Sequence, residues 1–183
     1  MMQLKNINIE TCYGPVDVFV MNSASKIKLL ICDVDGVMSD GIIYLGNSGE
    51  ELKKFNVRDG YGICCLLAFG LIVAVISGRH CHLVEERCKK LGINHVYQGQ
   101  SNKLIAYRDL LNKLSISDYQ VSYIGDDVID LPVMTHVGLS VAVPDAHPLL
   151  MSHAHYITKN FGGRGAIREL CDLILMSQNK ISI

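Results

Sequence analysis

Apolar residues along this chain fall into short continuous runs, separated by stretches in which they recur every three or four positions. The runs at 27–32, 71–76, 93–97, 121–124 and 138–143 predict five strands. The stretches at 60–69, 80–90, 101–114, 127–135 and 165–176 predict helices. Near-unbroken Val/Ile/Leu runs, such as LIVAVIS, predict strands covered on both faces. Regular alternation of strand and helix predicts parallel strands joined by right-handed crossovers, hence an α/β fold with a doubly wound, Rossmann-like parallel sheet.

Two segments depart from the alternation. Residues 41–55 hold two short runs around Gly46-Asn47-Ser48-Gly49, a turn signal that predicts a β-hairpin directly after the first strand. A two-stranded ribbon is only marginally stable alone, so its Ile42, Ile43, Tyr44, Leu45 and Phe55 predict an oligomer contact. Residues 1–25 show no clear period and are expected to be a loose N-terminal arm, leaving 26–183 as the domain.

A chain of 183 residues can bury one substantial core and leaves little room for a large cap over a site. Its 17 basic and 18 acidic residues give a net charge of −1, which argues against an electrostatic grip on nucleic acid or on anionic membrane lipid. The longest apolar stretch, 63–76, is interrupted by Gly70 and falls short of the ~20 residues of a membrane span. No basic flank followed by a compact hydrophobic run marks a secretory signal, and the seven cysteines contain no C-x-x-C pair. A cytoplasmic protein with free, buried or half-buried thiols, Cys32, Cys64 and Cys65 among them, is the expectation.

In a parallel α/β sheet the ligand site lies beyond the carboxyl ends of the strands, so the polar residues after each apolar run are the ones to collect. They are Asp33 and Asp35, Ser77-Gly78-Arg79, Lys103, and Asp126-Asp127 with Asp130. Several carboxylates at one edge repel one another unless a divalent cation sits among them, and Mg²⁺, a hard ion with oxygen ligands at ~2.0–2.1 Å, suits the set. Asp33 and Asp126 are the side-chain ligands to expect. With Lys103 and the metal neutralising a phosphate, Asp33 can attack phosphorus and form an aspartyl phosphate. Asp35, two residues on, is placed to protonate the departing alkoxide and later to take a proton from water. The Ser77 hydroxyl and nearby backbone N–H groups would serve the equatorial oxygens. Each residue alone has an ordinary structural role, such as a helix cap for Asp or Ser; the order hydrophobic-DVDG, hydrophobic-SG, Lys, hydrophobic-GDDxxD carries the signal.

That order resembles the four motifs of the haloacid dehalogenase superfamily, at Asp33/Asp35, Ser77, Lys103 and Asp126, from about residue 29 onward. FNVRDGYGI, ISGR, YQGQSNKL, YIGDDVIDLPVM, SVAVPDAHPLL and GGRGAIRELCDL further resemble its octulosonate 8-phosphate phosphatase branch. The resemblance implies a capless, Mg²⁺-dependent homotetramer that frees a small sugar acid for lipopolysaccharide assembly, with the hairpin at the subunit interface. It implies that Asp33 is nucleophile and metal ligand, that Asp35 is acid/base and offers its backbone carbonyl to the metal, and that Asp126 is the remaining protein ligand. Substrate contacts are implied at Asn56, Val57, Arg58, Asp59, Gly60, Gly78, Arg79, Arg87 and Lys103, with Arg164 a further candidate. The chain has Cys64 where the branch often carries Arg, and Asn102 where the superfamily usually has an acid.

Two other functions are compatible with parts of this pattern. A phospho-receiver signalling module also uses paired acids, a Ser/Thr, a Lys and a phospho-aspartate, but Asp35 two residues after Asp33 favours turnover over storage. A nine-carbon sugar-acid phosphatase or a broad-specificity phosphatase would share the motifs and differ in substrate.

Overall fold

The computed structural model describes residues 7–181. The chain opens with a hairpin of β1 (Asn8–Thr11) and β2 (Gly14–Asp17), then α1 (Val18–Ala24), β3 (Leu29–Cys32) and a second hairpin, β4 (Tyr44–Leu45) and β5 (Glu51–Leu52). Next come α2 (Val57–Ala68), β6 (Ile72–Ile76), α3 (His82–Leu91), β7 (His95–Tyr97) and α4 (Lys103–Leu114). The chain continues through β8 (Val121–Gly125), α5 (Leu131–Met134), β9 (Leu139–Ala142), α6 (Pro148–Met151), β10 (Tyr156–Ile157) and α7 (Ala166–Ser177).

Six strands form one parallel sheet in the order β10-β9-β8-β3-β6-β7. The chain builds outward from β3 through β6 and β7, then returns to the other side of β3 with β8. That reversal makes the β3/β8 boundary the switch point, where a crevice opens beyond the carboxyl ends. Every residue of β3, β8 and β9 is buried, as the unbroken apolar runs require of strands with helices on both faces. Each fully buried Leu or Ile among them contributes about 1.5–3 kcal/mol.

The doubly wound parallel sheet is as predicted, and the second hairpin lies within residues 41–55. Its turn is closed by Gly46 N–H donating to Glu50 O at 2.9 Å, with Gly49 in the left-handed region at φ +87°. Ile42, Ile43, Tyr44, Leu45 and Leu52 on it are exposed.

Four expectations need correction. The described part of the N-terminal arm, residues 7–25, is folded onto the body: Val16, Val20, Met21 and Ala24 are buried in the core, and the Tyr13 hydroxyl donates to Asp172 at 2.6 Å. Residues 1–6 lie outside the described residues. The helix predicted at 127–135 is instead a 3₁₀ turn, Val128–Asp130, followed by α5, because Asp130 folds back to accept the N–H groups of Asp126 and Asp127 and Pro132 brings no N–H. A sixth strand, β10, extends the sheet at its edge. Cys64, expected buried or half-buried, is exposed, since α2 turns Gly60, Ile63 and Leu66 inward instead.

Candidate active site

Register determines which side chains meet. Cys32 at the end of β3 is level with Val75 of β6 and Ile124 of β8. Asp33, Ser77 and Asp126 therefore leave three neighbouring strands at one edge of the sheet. The Asp33 N–H still donates to Ile124 O at 3.0 Å, and that of Ser77 to Tyr97 O at 2.8 Å, which fixes both residues relative to the strands beside them. The chain turns away after Asp35 through Gly36 at φ +83°; a Cβ there would stand 2.0 Å from Asp126 Oδ2. Glycine is what lets the loop after β3 lie against the acid after β8.

These residues line a cavity of about 400 Å³: Asp33, Asp35, Gly41, Ser77, Gly78, Arg79, Lys103, Asp126, Asp127 and Ile129. Asp33, Ser77 and Lys103 are almost wholly buried. The Lys103 ammonium reaches Asp33 at 2.7 Å and Asp130 at 2.6 Å. Asp130 is saturated with donors: its Oδ1 takes Lys103 and the Tyr123 hydroxyl, each at 2.6 Å, and its Oδ2 takes the N–H groups of Asp126 at 3.0 Å and Asp127 at 3.2 Å. One buried acid thus orients both the lysine and the loop after β8.

Asp33, Asp126 and Asp130 each offer a carboxylate oxygen within 4.8 Å of the others, against the single ammonium of Lys103. Burial and the charge of Asp130 push the Asp33 carboxyl up to about 6, although Lys103 pulls it down. Burial and the charges of Asp33 and Asp130 push Asp126 up to about 8. Burial would lower the Lys103 ammonium, but Asp33 and Asp130 more than offset it and raise it. The cluster is short of positive charge, the condition that a hard divalent cation relieves. Because Asp130 is committed to four donors, Asp33 and Asp126 are the two carboxylates left to ligate. The Asp35 side chain is held elsewhere, in an ion pair with Lys53.

The predicted substrate residues divide. Asp35, Ser77, Gly78, Arg79 and Lys103 line the cavity; Arg79 is steadied by Glu51 at 3.2 Å. Asn56, Val57, Arg58, Asp59, Gly60 and Arg87 do not line it. Asn56 caps α2, accepting from Arg58 N–H at 2.8 Å, and Arg58 and Val57 are exposed. Asp59 is buried and accepts from the N–H groups of Gly165 and Arg168, tying α2 to α7. Arg87 lies over Phe55 and donates to Asn56 O at 3.3 Å, with its Nε buried and unpartnered among the described residues. Arg164 lines a separate cavity of about 340 Å³ with Asp40, Ile42, Asp145, Phe161 and Gly162.

Besides the lining residues Gly41 and Ile129, two residues that support the site, Lys53 and Tyr123, went unnoticed in the sequence. Lys53 belongs to a hairpin read as exposed, where inward alternation after the outward Leu52 was its one signal. Tyr123 is a polar tip within a buried strand, and only the partner waiting at its hydroxyl distinguishes it from a core aromatic. Among the described residues no helix is long and apolar enough to cross a membrane.

Comparison with known proteins fits this geometry. A model of the haloacid dehalogenase-like hydrolase family matches residues 88–167. The chain is 64% identical over 173 residues to a 3-deoxy-D-manno-octulosonate 8-phosphate phosphatase of Yersinia pestis, spanning 94% of this chain and 92% of that one. A crystal structure of that enzyme from Yersinia pestis superposes with a TM-score of 0.95 at 63% identity, covering 96% of this chain and 95% of the other. The corresponding phosphatase of Moraxella catarrhalis, solved with a magnesium ion, a phosphate ion and a KDO molecule, gives a TM-score of 0.86 at 43% identity, over 87% of this chain and 92% of that one.

Proposed function

This chain belongs to the haloacid dehalogenase-like hydrolases, in the family of 3-deoxy-D-manno-octulosonate 8-phosphate phosphatases, and on that premise we propose that it hydrolyses this sugar-acid phosphate to the free acid and phosphate. The observation that carries the reading is the meeting of Asp33 and Asp126 oxygens within 4.8 Å, beside a lysine 2.7 Å from Asp33. Mg²⁺ is the cofactor the oxygen donors suit, with Asp33, Asp126 and the Asp35 backbone carbonyl as its protein ligands. When bound, it offsets the repulsion between the acids and the charge of an incoming phosphate.

The chain's own residues supply the rest. Asp33, held by Lys103 and by its N–H bond to Ile124, presents a carboxylate oxygen to phosphorus. Attack forms the Asp33–phosphorus bond and breaks the bond to the sugar's alkoxide oxygen, which takes a proton from Asp35. Asp35 then removes a proton from the water that cleaves the aspartyl phosphate. Lys103, Ser77 and the Gly78 N–H address the phosphoryl oxygens, and Arg79 stands at the rim for a substrate anion.

Asn56 to Gly60, Arg87 and Arg164, which do not line the cavity in the single chain, fit a substrate site completed by a neighbouring subunit. The exposed apolar residues of β4 and β5, with Val57 and Tyr61 beyond them, support a homotetramer built through the hairpin. The protein acts in the cytoplasm, in lipopolysaccharide biosynthesis.

A phosphate-release panel, with and without chelator, tests the assignment. It should contain the eight-carbon substrate, a nine-carbon sugar-acid phosphate and common sugar monophosphates. Fast, chelator-sensitive release confined to the eight-carbon acid is expected; equal turnover across the panel would establish a broad-specificity phosphatase. Light scattering on the eluting protein checks the tetramer.

A further inference from the structure

The hairpin places one residue where an exposed ribbon has no ordinary use for it. Along β5 and just beyond it, Leu52 points outward and is 65% exposed, whereas the Lys53 side chain is only 2% exposed. A buried ammonium is costly unless paired, and its one described partner is Asp35 Oδ1. Two nearby residues of the stretch are also paired: Glu51 with Arg79, which lines the cavity, at 3.2 Å, and Lys54 with Asp40, which lines the separate cavity around Arg164, at 2.9 Å. The stretch is thus held by ion pairs on both sides of Lys53, one of them to the cavity residue Arg79. Lys53 does not line the cavity, and Asp35 does. Of the two Asp35 carboxylate oxygens, Oδ1 is taken by Lys53, and Oδ2 has no hydrogen-bond partner among the described residues.

We propose that Lys53 is a positioning residue for the reaction: by holding Asp35 Oδ1 it turns Oδ2 toward the leaving group. The inference rests on the phosphatase reading above, in which Asp35 gives a proton to the departing alkoxide. Anchoring one oxygen limits rotation of the carboxyl group and keeps the proton-bearing oxygen aimed at the bond that breaks. The ammonium does so without touching substrate, from an element whose outer face is apolar and exposed. Seating of the hairpin and alignment of the acid are therefore one mechanical arrangement.

Leaving-group dependence separates positioning of an acid from general damage. A sugar alkoxide needs protonation as it departs; p-nitrophenolate, far less basic, scarcely does. Lys53→Met keeps the apolar stem and removes the ammonium; Lys53→Arg restores a donor. For Lys53→Met we expect the single-turnover rate of leaving-group release, the first step alone, to fall by about 10–100-fold on the sugar-acid phosphate, part of the 10²–10⁴ of general acid catalysis. Its burst rate of p-nitrophenolate release from p-nitrophenyl phosphate should change less than about threefold, and Lys53→Arg should regain part of the sugar-phosphate first-step rate. Asp35→Asn, run alongside, should show the same selectivity more strongly. If Asp35→Asn is selective and Lys53→Met slows both substrates equally, or neither, the role of Lys53 is refuted and that of Asp35 stands. If Asp35→Asn slows the first step of both alike, the acid assignment falls and this inference with it; its slower hydrolysis of the shared aspartyl phosphate is expected for either substrate. Circular dichroism and light scattering confirm that each variant is folded and assembled.

Discussion

The Tyr123 hydroxyl donates to Asp130 Oδ1 at 2.6 Å, on the same oxygen that receives the Lys103 ammonium. Burial and the Asp130 and Asp33 charges push the phenol well above its ordinary value, so it remains a donor at any working pH. Tyr123→Phe keeps the ring in the core and removes only this bond. A hydrogen bond to a charged group is worth about 1.5–3 kcal/mol. For a chain of this size that lowers Tm by roughly 3–10 °C at fixed protein concentration. Because Lys103 and two N–H groups still hold Asp130, kcat should fall by at most about tenfold. Differential scanning calorimetry and phosphate release check the two halves.

Asp33→Asn removes the nucleophile and one negative charge at nearly constant volume. Phosphate release should fall by at least about a thousandfold, as when an enzyme loses the residue that forms its covalent intermediate. Stability should move the other way. Asp33 and Asp126 repel each other, and both carboxyls are raised in the folded chain. The metal-free variant should therefore melt at or above the wild-type temperature, with the tetramer intact, while Mg²⁺ stabilises it less. A variant that retained full turnover would reject the covalent route.

Much of this site was legible because parallel sheets gather whatever follows their strands. Asp33, Ser77 and Asp126 each stand directly after a buried run or its final glycine, so their meeting needed only the strand order. Lys103, the first residue of α4, is identifiable for the same reason. What escaped depends on three-dimensional partners. Tyr123 reads as one more core aromatic, and Lys53 as a solvated charge on a ribbon. The first hairpin and α1 bury Val16, Val20, Met21 and Ala24 at helix-like intervals, but α1 has only seven residues, too short a window for the period to register. The 3₁₀ turn before α5 follows from side-chain bonds of Asp130 that no periodicity encodes.

Gly36 offers a test of the loop geometry. Its φ of +83° is disfavoured for any L side chain, and a Cβ would fall 2.0 Å from Asp126 Oδ2. Gly36→Ala should therefore cost about 1–2 kcal/mol from the left-handed conformation and displace the Asp126 carboxyl as well. The second effect distinguishes it from ordinary loop damage: Mg²⁺ affinity, read by calorimetric titration, should weaken by tenfold or more. Gly49→Ala shares the left-handed strain without any neighbour near its Cβ, so it should lose stability alone.

Metal affinity should depend on pH with a definite sign. In the folded, metal-free chain the Asp33 and Asp126 carboxyls are raised to about 6 and about 8, above the ~3.9 of an unfolded aspartate. Between those limits the folded state binds more protons than the unfolded one. Their contribution to stability is therefore fully present below about pH 4 and is lost as pH rises through 6 to 8. A divalent cation must displace those protons to reach the oxygens. Its apparent affinity should rise with pH by up to about tenfold per unit for each proton released, then level off above about pH 8. The increase in Tm given by Mg²⁺ should accordingly be larger at pH 8 than at pH 6, and titrations in buffers of different ionisation enthalpy should register proton release. Affinity that stayed flat from pH 6 to 8 would mean that the acids are already ionised without metal, and that the lysine alone balances them.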